Sequence, residues 1–230
     1  MNEKYKQGEK AYFRKIYLKA AARVLLLALL LFLPAGSLRW PAGWLYLALY
    51  SAWSALTMLL LARRSPALLL LREGEGREAR EQWDKVFIFF GGALLAGLLV
   101  ICSAERAASR GFTFLSVAAF LGLCAAYGLA TWALLSNRFA IGVAAIQEGQ
   151  VPVDKGPYGA VRHPLYLAAI VFFSCTPAAL GSTAGFVPAG LLVAALAART
   201  ALEDRLLLRS LAGYRDYAAR VRSRLLPGLW

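Results

Sequence analysis

The sequence predicts an all-α integral membrane protein with about six transmembrane helices and both termini in the cytoplasm. Three observations carry that expectation. The 230-residue chain is 60% apolar. Its apolar residues gather into six runs, at about 20–36, 40–62, 86–104, 112–136, 164–180 and 184–198, and a hydrocarbon core about 30 Å thick needs roughly 20 such residues per helix. Basic residues then alternate between the connecting segments. Those at 1–23, 63–85, 137–163 and 199–230 hold 7, 6, 3 and 7, which is 23 of the 26 Lys and Arg, while the opposite side keeps Arg39, Arg106 and Arg110. Cytoplasmic loops are enriched in these residues and exported loops are not. The net charge of +13 therefore reads as a topology signal and a contact with anionic lipid headgroups. A basic stripe interleaved with stacking aromatics, which nucleic acid would require, is absent from the sequence, so no nucleic-acid partner is expected.

Each element follows in order. Residues 1–19 are rich in Lys, Tyr and Arg and are expected to lie along the membrane surface before the first span, which no small-residue cleavage site follows and which is therefore retained. PAGSLRWPAGW reads as a tight turn, with Trp40 and Trp44 in the interfacial aromatic belt. The linker RRSPALLLLREGEGREAREQWDK, residues 63–85, starts a surface helix near Pro66 and mixes five acids with six bases; no catalytic role is expected of it. Spans three and four form a second hairpin, which closes an N-terminal four-helix region at 1–136. Cys102, Cys124 and Cys175 fall within apolar spans without a CxxC spacing and read as small buried residues. One histidine and three scattered thiols do not assemble a zinc site, so no metal is expected.

From residue 137 the character changes. NRFAIGVAAIQEGQVPVDKGPYGAVRHPLY is too polar to cross a bilayer and too apolar for a free linker. It is read as an ordered loop folded onto the membrane face, because long connections of this kind are functional or disordered. Spans five and six are joined by PAALGSTAG as a helical hairpin. Leu202, Leu206, Leu207 and Leu211 keep helical spacing beyond the last span, so that helix continues into the cytoplasm. Residues 137–230 thus form a second region.

Three polar clusters converge on one side: residues 147–153, the stretch GPYGAVRHPLY at 156–166, and the tail from Arg199. Ionisable residues at the ends of membrane helices are costly to desolvate and mark sites. Arg199 and Glu203 stand four apart and share a helix face. They form either an ordinary ion pair or, where the last span leaves the bilayer with Asp204 beside it, a site. In the second case the arginine clamps an anion bidentately and the carboxylate holds an ammonium or a sugar hydroxyl, the groups of an amino-acid nucleoside such as S-adenosyl-L-methionine. His163 alone reads as a ring bonded to backbone at a helix start, supported by Pro164 in the first turn and the turn-forming Gly156-Pro157.

Taken together, GPY, then RHPLY, then an apolar hairpin and R-x-x-x-E-D resemble the isoprenylcysteine carboxyl methyltransferase family of integral membrane enzymes. Asn137, Phe139 and Gln147 upstream, and GYRDYAARVRSRLLPGLW downstream, continue the resemblance over about residues 137–230. The resemblance implies a cytoplasmic cofactor pocket for S-adenosyl-L-methionine lined by Gln147, Gln150, Val151, Pro152, Val153, Tyr158, His163, Pro164, Leu165, Tyr166 and Glu203. Catalysis would fall to Arg199, facing the methyl acceptor, and Glu203. It further implies a lipid-phase or lipidated acceptor, most readily a carboxylate, with phospholipid amines and thiols as alternatives, in a bacterial or archaeal cytoplasmic membrane. A transporter or structural membrane protein is the rival from another class. Three positions depart from the family pattern: Ala168 stands for a glycine, Asp204 for a second glutamate, and Ser210-Leu211 for Phe-Gly.

Overall fold

The computed structural model describes residues 3–73, 81–105, 112–228 and 230, with side chains from residue 14 and without that of residue 73. Arg106, Arg110 and part of the charged linker lie outside the described residues. The described chain is all-helical: α1 Glu3–Ala35, α2 Pro41–Arg64, α3 Pro66–Glu73, α4 Gln82–Ala104, α5 Phe114–Ser136, α6 Pro164–Leu180, α7 Phe186–Ser210 and α8 Tyr214–Arg220. Five of these are long and apolar enough to cross a membrane, namely Arg14–Ala35 and the whole of α2, α4, α5 and α7. The 17-residue α6 is shorter, spanning about 26 Å at 1.5 Å per residue.

Local chemistry explains most boundaries. Proline opens α2, α3 and α6, where a missing N–H leaves no hydrogen bond unmade. Thr113 caps α5 by accepting the Ser116 amide at 3.2 Å. Gly181, at φ +74°, ends α6 in the left-handed conformation that suits glycine. Pro177 sits one turn from that end and leaves the helix intact.

The outward faces are greasy. Leu25, Leu26, Phe89, Phe90, Leu121, Trp132, Val187 and Leu191 are exposed, as expected of surface that meets lipid. Inside, Leu31, Leu98, Cys102, Leu123, Leu180 and Leu192 form the centre of the packing. Helices α5 and α6 approach so closely that a Cβ on Gly122 would collide with the Cys175 sulfur; small residues permit such approach in membranes. Polar links cross between helices, Tyr46 to Thr176 at 3.1 Å and Trp53 to Thr131 at 2.9 Å, each worth about 0.6 kcal/mol in a bilayer.

Three expectations change. Helix α1 is continuous from residue 3, so no separate surface segment precedes the span: nothing in its sequence breaks the helix before Pro34. Trp40 is 5% exposed and packs edge-on against Phe32, because the glycine at position 43 leaves room for its ring over α2; it belongs to the core, and Trp44 alone keeps an exposed position. Cys124 is exposed on α5, since its side chain lies on the outward face. Helix α3 agrees with the surface helix expected after Pro66.

Candidate active site

At one end of the bundle the loop from 137 to 163 folds back over the helix ends. Its course is fixed by hydrogen bonds rather than by strands. The Asn137 side chain accepts the Phe139 amide at 2.9 Å, the Gln147 side chain donates to the Phe139 carbonyl at 2.7 Å, and Gln150 Oε1 accepts the Gln147 amide at 2.9 Å. From outside the loop, Arg72 Nη1 donates to the Ala140 carbonyl at 2.6 Å. Gly156–Gly159 is a single 3-10 turn that begins at φ +60°, and a Cβ at Gly156 would strike the Ser136 hydroxyl. Glycine is needed there twice over, for conformation and for space.

Behind this turn lies a cavity of about 110 Å³. Its walls bring together Gln150, Val151, Pro152, Val153, Tyr158, His163, Pro164, Leu165, Tyr166 and Glu203, residues the sequence scatters over more than fifty positions. Gln147 does not line it. Its amide is engaged by the Phe139 carbonyl, so it shapes the loop. Arg199 is likewise outside the cavity wall and lines an adjoining cleft.

The two faces of α7 divide the charges. Glu203, 23% exposed, accepts a hydrogen bond from the Tyr166 hydroxyl and stands 3.9 Å from His163 Nδ1. The His163 ring lies parallel to that of Tyr166 at 5.7 Å. The next residue, Asp204, is fully buried and gathers four side chains: Arg162 through two nitrogens at 2.8 and 2.9 Å, Arg224 at 2.9 Å, the Tyr214 hydroxyl at 2.9 Å and His163 Nε2 at 3.3 Å. Arg162 also donates to the carbonyls of Val221 and Arg222, and the backbone amides of Arg162 and His163 donate to Ser223 and Arg224. The C-terminal segment is thereby strapped along the RHP motif. Burial works to lower the Arg162 guanidinium pKa, but Asp204 and Tyr214 outweigh it and hold the charge on. Tyr158 is buried, its hydroxyl pKa is pushed up to about 12 by desolvation, and its carbonyl accepts the Tyr217 hydroxyl at 2.8 Å.

Arg199 has different company. Its Nη2 stands 2.7 Å from Asp84 Oδ1 and donates to the Gly142 carbonyl at 3.3 Å, with the guanidinium 5.3 Å over the Tyr166 ring. The contact with Asp84 is close but poorly aligned. Asp84 Oδ1 and the buried Arg199 Nε both lack a hydrogen-bond partner among the described residues. The other Asp84 oxygen accepts the Ala144 amide at 2.9 Å, so this aspartate ties α4 to both the loop and α7.

Sequence reasoning missed Asp84, Arg162 and the cavity residues Tyr214 and Tyr217. An acid in the first turn of an otherwise apolar span was the available signal for Asp84. Among the described residues no cluster of three His, Cys, Asp or Glu could hold a metal ion. Apolar contact for a bound group would come from Val151, Pro152, Val153 and Leu165, and a carboxylate for a hydroxyl or ammonium from Glu203; the Tyr166 ring is already faced by His163 and by the Arg199 guanidinium. No protein-family model matches this chain, and no curated protein matches it either.

Proposed function

We propose that this membrane protein is an S-adenosyl-L-methionine-dependent methyltransferase acting on a lipophilic acceptor. The observation that carries the reading is the gathering of the 150–153 run, Tyr158, the RHPLY residues and Glu203 around one cavity, beside a separate apolar cleft that ends at Arg199. One compartment is partly polar and the other faces the bilayer, as a water-soluble donor and a greasy acceptor require.

The bound donor supplies an electrophilic methyl on a sulfonium. The protein's own task is orientation and exclusion of water. Glu203, fixed by the Tyr166 hydroxyl, would hold a donor hydroxyl or ammonium. His163, fixed by Asp204 and stacked on Tyr166, would form the wall between donor and acceptor. The donor would arrive from the cytoplasm and the acceptor from the bilayer.

The resemblance in motif favours a carboxylate acceptor with Arg199 as its counter-ion. A second reading, an amine or thiol acceptor, is favoured by the ion pair that Arg199 already makes with Asp84. The donor half of the proposal is tested by calorimetric titration of detergent-purified protein with S-adenosylhomocysteine. Wild type is expected to bind, Glu203→Ala and His163→Ala to bind at least tenfold more weakly. Absence of wild-type binding in several detergents would turn the assignment toward transport.

A further inference from the structure

A further cavity lies in the N-terminal half, and we propose that it holds the phosphate of an anionic phospholipid, whose grip on Arg72 steadies the loop over the cofactor cavity. The steadying rests on the methyl-transfer reading; the lipid site does not. The cavity encloses about 140 Å³ between α1, α2, α3 and α5, several times the roughly 30 Å³ that one water occupies. It shares no lining residue with the cavity behind the 3-10 turn. Arg23 and Arg72 line it together with Tyr50 and Ser54, over apolar Leu61 and Leu69. Among the described residues of its wall there is no Asp or Glu.

Arg23 is the single charged residue between positions 20 and 35, and an ionisable residue inside a membrane helix is costly and marks a site. Its side chain leans toward the helix N-terminus, where Ala20, one turn away, lines the same cavity. Helix α3 brings the second cation. Leu69 is 4% exposed and packs with Leu61 and Leu134, which pins this short helix against the bundle, and Arg72, three positions on, shares its face. The wall between them is preformed, because Thr57 and Trp53 are both tied to Thr131, at 2.8 and 2.9 Å. Two guanidiniums lining one cavity favour an anion between them, and the guanidinium fork suits phosphate by donating two parallel hydrogen bonds. Basic pockets between membrane helices take lipid head groups on these grounds. The apolar part of the wall, and the exposed Leu25, Leu26, Leu56 and Leu59 of α1 and α2, favour a phosphate carried on acyl chains over a free one.

Arg72 connects the two cavities. Its Nη1 donates to the Ala140 carbonyl at 2.6 Å, and Ala140 lines the cofactor cavity. An anion that fixes the guanidinium on one side fixes the loop on the other. By linkage, a bound donor raises the affinity for the lipid by the same factor.

The site is tested by titrating the full chain, purified in a nonionic detergent, with dioctanoylphosphatidylglycerol, dioctanoylphosphatidylcholine and inorganic phosphate. Wild type is expected to bind the phosphatidylglycerol at least tenfold more tightly than either of the others. Arg23→Gln removes that preference and Arg23→Lys keeps it at reduced affinity. Arg63→Gln, which removes an exposed charge at the end of α2 outside the cavity, changes the affinity less than twofold. Equal binding of the two lipids, or an equal loss in Arg23→Gln and Arg63→Gln, overturns the site, since surface charge alone then accounts for the binding. Phosphate bound as tightly as phosphatidylglycerol overturns the lipid as its source. The coupling is read by titrating S-adenosylhomocysteine into phosphatidylcholine nanodiscs with and without phosphatidylglycerol. Its affinity is expected to rise at least threefold with phosphatidylglycerol in wild type and to stay flat in Arg23→Gln. A flat response in wild type overturns the coupling. No binding of S-adenosylhomocysteine in either membrane sinks methyl transfer, while the lipid titration still reads the site.

Discussion

Two buried ion clusters sit back to back on α7, and they are built on opposite plans. Asp204 is saturated: two arginines, a tyrosine and a histidine fill its oxygens, and Arg162 carries its remaining hydrogen bonds to backbone carbonyls. Arg199 is unsaturated, with one poorly aligned carboxylate, one long carbonyl contact and a buried Nε that has no partner among the described residues. A cluster with nothing left to bond is a structural clamp. One that keeps a buried donor in reserve at the end of a cleft is arranged for a ligand, since an unmet buried donor costs about 1–3 kcal/mol. The difference separates what holds the site from what the site would hold.

The comparison breaks most visibly at the clamp. Asp204→Ala strands Arg162 and Arg224 together in a place where they are 7% and 30% exposed and frees the C-terminal strap. Loss of one partner from a buried ion cluster costs about 3–5 kcal/mol, and the double stranding puts this variant at the upper end. The expected result is a large fall in melting temperature in detergent and loss of protection from carboxypeptidase at the tail. A melting temperature within 2 °C of wild type, a shift worth about 1 kcal/mol at most for a chain this size, would show that Asp204 is no clamp.

Arg199→Ala sharpens the other side. It leaves Asp84 buried without its arginine, at a cost of about 3 kcal/mol. Because Arg199 lies outside the cofactor cavity, affinity for S-adenosylhomocysteine should stay within about twofold, or 0.4 kcal/mol. Titration beside a thermal melt checks both. A tenfold loss of affinity would mean that the two compartments are one.

How much of this was legible follows from what each kind of pattern encodes. Apolar run length located the five helices long and apolar enough to cross a membrane, with α6 shorter than a full span, because it records a residue's average environment. Trp40 was misplaced by the same logic: a tryptophan at a span boundary is usually interfacial, and only the adjacent Gly43 reveals the pocket that buries it. Around the site, motif spacing located the cavity wall. It did not sort Glu203 from Asp204, although consecutive helical residues point about 100° apart and so serve different neighbours. Asp84 was hidden for a deeper reason. Its partners are Ala144 and Arg199, sixty and more positions away, and no local pattern records which distant arginine an acid will meet.

The smallest effect belongs to Tyr158, which touches both the cavity and the strap. Desolvation raises its hydroxyl from 10.0 to about 12, so between those values the unfolded chain has lost a proton that the folded chain keeps. The unfolded state then binds fewer protons, and stability falls as pH rises. The contribution is complete below pH 10 and is lost as pH climbs through about 12. Tyr214 and Tyr217, raised by burial as well, add to the same alkaline slope. Tyr158→Phe should therefore flatten, without abolishing, the decline of melting temperature from pH 10 to 12. The Tyr217 contact survives, because it is made to the Tyr158 carbonyl. An unchanged alkaline slope would mean that water reaches the hydroxyl, and that the wall between the cavity and the strap is open.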